Sequence, residues 1–452
     1  MPLDTTPLDA LVEAPADPQA APHTGPQPPE HPDFVLVAFG SAGDILPIAA
    51  MALALQARGH RVWFLAPAPF ETPARALSLQ FFPILDETDA QALMSHPRLW
   101  HPRHGFEVMW PYILKASQAT VKWLEPLAAA SARPCLVGGT MALGARVAHE
   151  RWRWPQATVH ISPCWIFAGA KPPVFYGLGW LKWLPPRWRS QLRKLADVHL
   201  VDGVCAANLN HWRASYGLSP VSRVLTQWAP SPQLMLGLFP PWFSKPQAGW
   251  PPHLQLHGFL RDDGGAGWVM PPKLALFLKQ PGPTILFTAG SAMLQAGRFF
   301  KNAAAASQRM GFKALLLAPD SVQSARWPAH VHVETYAPIS QLLPHCSAMV
   351  SHAGIGTIAQ GMAAGVPQLI TAYAFDQFDN ARKAADLGVA RILPRSASAG
   401  RLVSELKALL ADTALLAACQ QAQQRLQAET TGLTSCCKSL EALRSAACAS
   451  DA

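Results

Sequence analysis

The stretch from Phe34 to Ala66 most constrains what this chain can fold into. Phe34-Val35-Leu36-Val37-Ala38-Phe39 is uninterruptedly apolar, too apolar for a strand with one face in water. It reads as a strand buried on both faces of a parallel sheet. Gly40-Ser41-Ala42-Gly43-Asp44 is a turn, and Ile45 to Arg58 then carries helical periodicity. Pro47 falls in the first turn of that helix and Gly59 lies just past its end. Val62-Trp63-Phe64-Leu65-Ala66 is a second apolar strand. Strand, helix and strand form a βαβ unit, which sets the class as α/β with a parallel sheet.

A second α/β series follows later. Strands are expected at Thr284–Thr288, Ala314–Ala318, His332–Glu334, Ala348–His352 and Gln368–Thr371, with helical segments between them. The middle, from His96 to Trp250, reads as irregular and is crowded with Trp and Pro; Pro240-Pro241 and Pro251-Pro252 bracket a crossing between domains. The length, 452 residues, suits two α/β domains. The expected organisation is a disordered tail over 1–32, a first, acceptor-binding Rossmann-like domain over 33–256 and a linker over 257–282. A second, nucleotide-sugar-binding Rossmann-like domain over 283–440 and a frayed end over 441–452 complete it. Two doubly wound domains facing one another place a cleft at the carboxyl ends of their strands, where open α/β sheets bind ligands.

Composition narrows the partners. Half of the residues are hydrophobic and 14% are charged, so large cores are expected; the formal charge of +9 suits an anionic partner. The basic residues are scattered and no nucleic-acid motif accompanies them, which argues against nucleic acid. One cluster stands out within 171–194. Lys171, Lys182, Arg187, Arg189, Arg193 and Lys194 mingle there with Phe175, Trp180, Trp183 and Trp188. It reads either as an interfacial helix meeting anionic lipid or as a packed helix with snorkelling cations. The eight cysteines include no C-x-x-C pair and no zinc spacing, and read as reduced thiols. The first 30 residues lack the basic and apolar regions of a signal peptide. No apolar run reaches about 18 residues, so no spanning helix is expected. The expected location is the cytoplasm, with peripheral contact at the inner face of the membrane.

The segment from Tyr336 to Asn380 carries most of the chemistry. It holds Tyr336-Ala337-Pro338, Ser351-His352-Ala353-Gly354-Ile355-Gly356-Thr357, Gly365-Val366-Pro367-Gln368 and Asp376-Gln377-Phe378-Asp379-Asn380. A strand ending at His352 feeds a Gly-rich turn and a helix starting near Thr357. Backbone N–H groups and the dipole at that helix N-terminus make an anion site. Gly354 and Gly356 let a phosphate approach the backbone, and His352 can donate to a phosphate oxygen. Asp376 and Gln377, at the end of the next strand, can grip neighbouring sugar hydroxyls.

This segment resembles the donor-binding signature of the family 1, two-domain (GT-B) glycosyltransferases, and Gly40 to Pro47 resembles the N-terminal glycine-rich turn of its bacterial members. The resemblance runs over about residues 33 to 440. Within the family it extends toward the rhamnosyltransferases of rhamnolipid biosynthesis, through His96-Pro97-Arg98-Leu99-Trp100, Thr226-Gln227-Trp228 and Phe239-Pro240-Pro241-Trp242-Phe243. It implies an inverting hexosyltransferase with a nucleoside-diphosphate sugar as co-substrate, a small lipid-like acceptor, no metal and no further cofactor. It also implies roles: His352, Thr357, Ser291 and the backbone at Gly356 on the diphosphate, Tyr336 stacked on the nucleobase, Asp376 and Gln377 on the sugar. Asp44 would take the acceptor's proton, directly or by orienting a histidine.

One position departs from the pattern. Many UDP-sugar enzymes have a Glu that grips both ribose hydroxyls, and Gln360 stands there in this chain. A second acceptor oxygen loses its purpose on 2′-deoxyribose, so the donor expectation leans to dTDP-L-rhamnose and the acceptor to a hydroxy-fatty acid ester. UDP-glucose with a sterol-like or polyketide alcohol is the alternative.

Each residue also has a plainer reading. Asp44 could be an N-cap, His352 a satisfied core group, Ser291 a turn serine, Tyr336 core, and Asp376-Gln377 a helix start. Gly40 and Gly43 could simply shape their turn. Trp100, Trp110 and Trp123 either line an acceptor pocket or fill the core. A sugar-nucleotide 2-epimerase would need acidic residues around the sugar that the sequence lacks. A binding module without catalysis would not need Asp44, His352 and Asp376 together.

Overall fold

The computed structural model describes residues 32–169, 173, 174, 176, 183–185, 188, 191, 192, 195–261, 263, 265, 268–290, 297–323, 325–429 and 432–449. The α/β class holds: the chain forms two compact units, each built on one sheet. The N-terminal unit runs to Leu260 and takes back the C-terminal helix; the other comprises Arg261–Thr430 with residues 100–102.

The N-terminal sheet has the order β3-β2-β1-β4-β5-β6-β7. Its strands are β1 Phe34–Val37, β2 Val62–Pro67, β3 Gln80–Leu85, β4 Cys135–Gly139, β5 Gln156–His160, β6 Leu234–Gly237 and β7 Leu254–Leu256. The C-terminal sheet has the order β10-β9-β8-β11-β12-β13. Its strands are β8 Thr284–Thr288, β9 Lys313–Leu317, β10 Val331–Glu334, β11 Ala348–Ser351, β12 Gln368–Ile370 and β13 Ala390–Ile392. Every pairing is parallel. Sequence and position agree: β1 and β2, apolar throughout, are buried at every residue, whereas edge strand β3 opens on exposed Gln80.

The first helix runs Ala42–Ala57, so three residues expected in the turn form its first turn, behind Ser41 as N-cap. The middle is ordered where irregularity was expected. It contains β4, β5, β6 and the helix Gly105–Ala129, whose Trp110, Ile113, Ser117, Thr120, Trp123, Leu124 and Leu127 are buried at i+3/i+4 spacing. Pro111 and Pro126 inside this helix disguised it. Trp110 and Trp123 are core; Trp123 packs on Trp63 at 5.0 Å and on Phe82 at 5.7 Å.

Two expected boundaries move. Within 257–282 the helix Pro272–Lys279 packs Leu274 and Phe277 against Leu286, Leu315 and Met349, so it belongs to the C-terminal core. Lys313 Nζ fixes it there by donating to the carbonyls of Phe277, Leu278 and Gln280, at 3.1, 2.8 and 2.6 Å, at the helix's C-terminal end. The C-terminal helix runs Gly432–Ala449 through the expected frayed end. It is held to the N-terminal unit by the bidentate Arg58–Glu441 pair at 2.7 Å and by Arg444 on Asp33. The Arg58 guanidinium, aided by His60, pulls the Glu441 carboxyl to about 2. Segment 171–194 lies largely outside the described residues.

Candidate functional site

Strand β11 ends at Ser351, and His352-Ala353-Gly354 leads into the helix Ile355–Ala364 two residues earlier than Thr357 suggested. Gly354 is its N-cap, so no side chain caps the N–H groups that helix geometry leaves unsatisfied. Gly356 faces open space: a Cβ there would meet nothing within 4 Å. The turn is strained, with Ala353 at φ +70°, a conformation that persists only where the surroundings enforce it.

The His352 ring lies between two glycines. A Cβ on Gly290 or on Gly354 would come within 2.6 Å of its Nε2. Gly290 also needs its φ of +87°; the sequence placed it beside the site without assigning it this task. The buried Nδ1 of His352 has no hydrogen-bond partner among the described residues. Burial lowers the imidazole to about 4, so the ring is neutral at pH 7. A satisfied core histidine would have used that nitrogen; this one keeps it beside an uncapped helix end. Thr357, half-buried, lies in the first turn of the same helix. Ser291 lies outside the described residues.

The loop after β12 brings Asp376 and Gln377 to the start of the helix Gln377–Asp386. Gln377 Oε1 accepts from the N–H groups of Tyr373 and Ala374 at 2.8 and 3.1 Å, which fixes the amide in one orientation. Asp376 Oδ2 accepts from Asn380 Nδ2 at 2.7 Å, and the same amide donates to the Ala353 carbonyl at 3.2 Å. Fully buried Asn380 therefore ties the Asp376 carboxylate to the strained turn beside His352. The sequence put Asn380 in the right segment, but its bridging role depends on a contact 27 residues away.

Gln360, 8% exposed, donates its side-chain N–H to the Arg261 carbonyl, leaving its amide oxygen as acceptor. Tyr336 is half-buried, and its hydroxyl donates to the Asp263 carbonyl at 2.9 Å. The Asp263 carboxylate accepts from Ser340 N–H and Oγ at 2.8 and 2.7 Å. These bonds fix the edge of the Tyr336 ring. Trp100, grouped with this unit, stands edge-on to Phe375 at 5.7 Å.

In the N-terminal unit, Asp44 occupies the third helical position rather than the N-cap. Its Oδ2 accepts from the Ser41 N–H at 2.8 Å and the Ser41 hydroxyl at 2.9 Å. Burial pushes the carboxyl above the ordinary aspartate range, against those two hydrogen bonds. Gly40 does more than shape the turn. At φ +137° its α-carbon lies so close to Asp44 that a Cβ would fall 2.4 Å from Oδ2. At the end of β5, His160 is buried and shares a 3.1 Å contact with Thr140 Oγ1. Its Nε2 lacks a partner among the described residues, and burial lowers it to about 4.

Two family descriptions match the chain. Residues 34–163 match the glycosyltransferase family 28 N-terminal domain, and residues 316–443 match the erythromycin biosynthesis protein CIII-like C-terminal domain. The sterol 3-beta-glucosyltransferase of Neosartorya fischeri is 25% identical over 386 residues, 80% of this chain and 26% of that protein. The chain thus spans about a quarter of such relatives. The elloramycin glycosyltransferase of Streptomyces olivaceus is 38% identical over 114 residues, 24% of this chain and 30% of its own length. Among solved structures, the glycosyltransferase of kitacinnamycin superposes with a TM-score of 0.70 at 17% identity, covering 92% of this chain and all of that one. The spinosyn rhamnosyltransferase SpnG, complexed with thymidine diphosphate, gives 0.61 at 20% identity, covering 89% and 98%. The chain thus matches a glycosyltransferase family 28 N-terminal domain in its first half and an EryCIII-like C-terminal domain in its second, and it has the GT-B fold.

Proposed function

We propose that the protein is an inverting hexosyltransferase that moves the sugar of a nucleoside diphosphate onto a hydroxyl of a lipid-like acceptor. The observation that carries this reading is the uncapped helix end at Gly354, open at Gly356, beside a buried and unpartnered His352 Nδ1. Such a turn suits a diphosphate: backbone N–H groups, the helix dipole and a neutral imidazole meet its charge. As the glycosidic C–O bond breaks, these groups hold the leaving diphosphate, and Thr357 adds a hydroxyl; Ser291 is assigned there as well. The reaction so written draws on no metal or further cofactor. Asp376 and Gln377 hold the sugar hydroxyls, and the base lies against Tyr336.

Asp44 removes the acceptor's proton, and its raised affinity for protons makes it a stronger base than an ordinary aspartate. A single displacement by the acceptor oxygen inverts the anomeric carbon.

The donor reading is dTDP-L-rhamnose and the acceptor reading a hydroxy-fatty acid ester. Gln360 supports the former, since one N–H of its amide is held by the Arg261 carbonyl and it offers a single acceptor oxygen where a glutamate would offer two. Likeness to sterol glucosyltransferases over 80% of the chain favours a second reading, UDP-glucose with a sterol-like alcohol. Isothermal titration with dTDP and UDP separates the two. Tighter dTDP supports the deoxyribose reading, tighter UDP moves the assignment to UDP-glucose, and binding of neither removes the donor site.

The same reading places the enzyme in the cytoplasm, touching the membrane through segment 171–194. Trp183 and Trp188 are 80% and 57% exposed, and Leu195 and Leu200 are exposed beside them, as a lipid-facing patch requires. Among the described residues, no helix is long and apolar enough to cross a membrane. Sedimentation with anionic vesicles, and none with neutral ones, is the expected result; no sedimentation with either overturns the contact.

A further inference from the structure

Within the C-terminal unit lies a cavity of about 140 Å³ whose lining includes none of the described residues assigned to the diphosphate or the nucleoside. Its polar side is Arg298, Asn302, Thr371, Tyr373 and Arg395; no carboxylate lines it. Neither guanidinium forms an ion pair among the described residues. Arg395 is held in place: it lies over the Tyr373 ring at 5.2 Å and donates to the Tyr373 carbonyl at 3.3 Å. Thr371 is 3% exposed, and its Oγ1 has no hydrogen-bond partner among the described residues. Two guanidinium groups without a carboxylate partner among the described residues line one cavity with a sealed, unsatisfied hydroxyl at its wall, and an anion that accepts hydrogen bonds would engage all three.

We propose that this cavity is an oxyanion site, which takes a carboxylate or a phosphate group of a small molecule other than the donor diphosphate. Arg298 and Arg395 supply the charge, Thr371 and Tyr373 the neutral donors. Burial pushes the Tyr373 phenol up and keeps it protonated. Tyr373 also gives its N–H to Gln377, so occupancy of the cavity is felt at the sugar loop.

The test is titration of the full chain with inorganic phosphate and, separately, with a short 3-hydroxyalkanoate. It is done with saturating dTDP and repeated without nucleotide on His352→Ala. Saturable binding in both settings is expected. The double variant Arg298→Gln/Arg395→Gln weakens it about tenfold or more, the loss of a charged hydrogen bond. Thr371→Val weakens it about threefold, a neutral one, and dTDP affinity stays unchanged in both. Phosphate binding alone assigns the site to free phosphate, and alkanoate binding alone to an acidic acceptor; each supports the oxyanion site. Binding of neither, competition with dTDP, or indifference to the three substitutions overturns it. Should dTDP itself fail to bind, the donor reading falls, while the His352→Ala arm still decides this one.

Discussion

The two units each present a strand, a glycine turn and a helix N-terminus, and they treat that N-terminus in opposite ways. In Gly40–Ile45 the helix start is filled from within, because the Asp44 carboxylate folds back onto the Ser41 N–H and hydroxyl. In His352–Thr357 it is left uncapped, with Gly354 as cap and Gly356 opening onto free space. The same dipole therefore serves two purposes. In one turn it steadies a carboxylate that belongs to the protein; in the other it awaits an anion that does not. Glycines make both possible, Gly40 by clearing room for Asp44, Gly290 and Gly354 by clearing room for His352. On the proposed reading, one motif supplies a base in one unit and a leaving-group site in the other, and the difference lies in a single side chain.

The sharpest way to break this comparison is Asp44→Asn. It keeps the capping geometry but cannot take a proton, so transfer should fall about 10²–10⁴-fold, the range of general base catalysis. Donor affinity measured by calorimetry should stay nearly constant. Retained turnover would remove Asp44 as the base. On the other turn, His352→Ala should weaken dTDP binding or the chemical step by more than about 1 kcal/mol. Steady-state kinetics checks this, and unchanged values would return His352 to a packing role.

The buried histidines and Asp44 should also titrate with opposite signs. His352 and His160 hold pKa values of about 4 when folded, below the ordinary 6.5. Between those values the unfolded chain binds more protons, so their contribution makes stability rise with pH. Asp44 is raised above its ordinary 3.8, so between that value and its raised folded one the folded chain binds the extra proton, and its contribution makes stability fall as pH rises there. Chemical denaturation from pH 4 to pH 7 should show a shallower rise for His352→Ala and a steeper one for Asp44→Asn. Parallel curves for both variants would show that neither group titrates as its burial implies.

The comparison also explains what the sequence made legible. Both turns could be read because each follows an uninterrupted apolar strand and is punctuated by glycine, signals that survive without tertiary context. Strands β4 and β5 were missed. Cys-Leu-Val-Gly-Gly and Gln-Ala-Thr-Val-His mix small and polar residues, and their burial comes from neighbours on both sides rather than from composition. The Gly105–Ala129 helix was hidden by its two prolines, and the return of the C-terminal helix rests on Arg58 and Glu441, 383 residues apart. The bridging by Asn380 and the clearance at Gly290 likewise depend on loops that meet only once the C-terminal sheet has formed. Local chemistry at the site could be read; the supports that aim it could not.

The finest test concerns the nucleoside end of the C-terminal unit. Gln360→Glu supplies the second acceptor oxygen that two ribose hydroxyls would use, but it turns that oxygen toward the Arg261 carbonyl, where the amide N–H now donates. The gain and the repulsion oppose each other, so the net shift in the ratio of UDP to dTDP affinity should be small. A few-fold change toward UDP is expected, about 1 kcal/mol or less, as for one neutral hydrogen bond. Competitive calorimetry of both nucleotides on both proteins measures it. A shift toward UDP makes residue 360 the reader of the ribose. An unchanged ratio would mean that Gln360 serves only to tie the helix to Arg261, and any preference for deoxyribose would have to be sought around Tyr336 and Asp263.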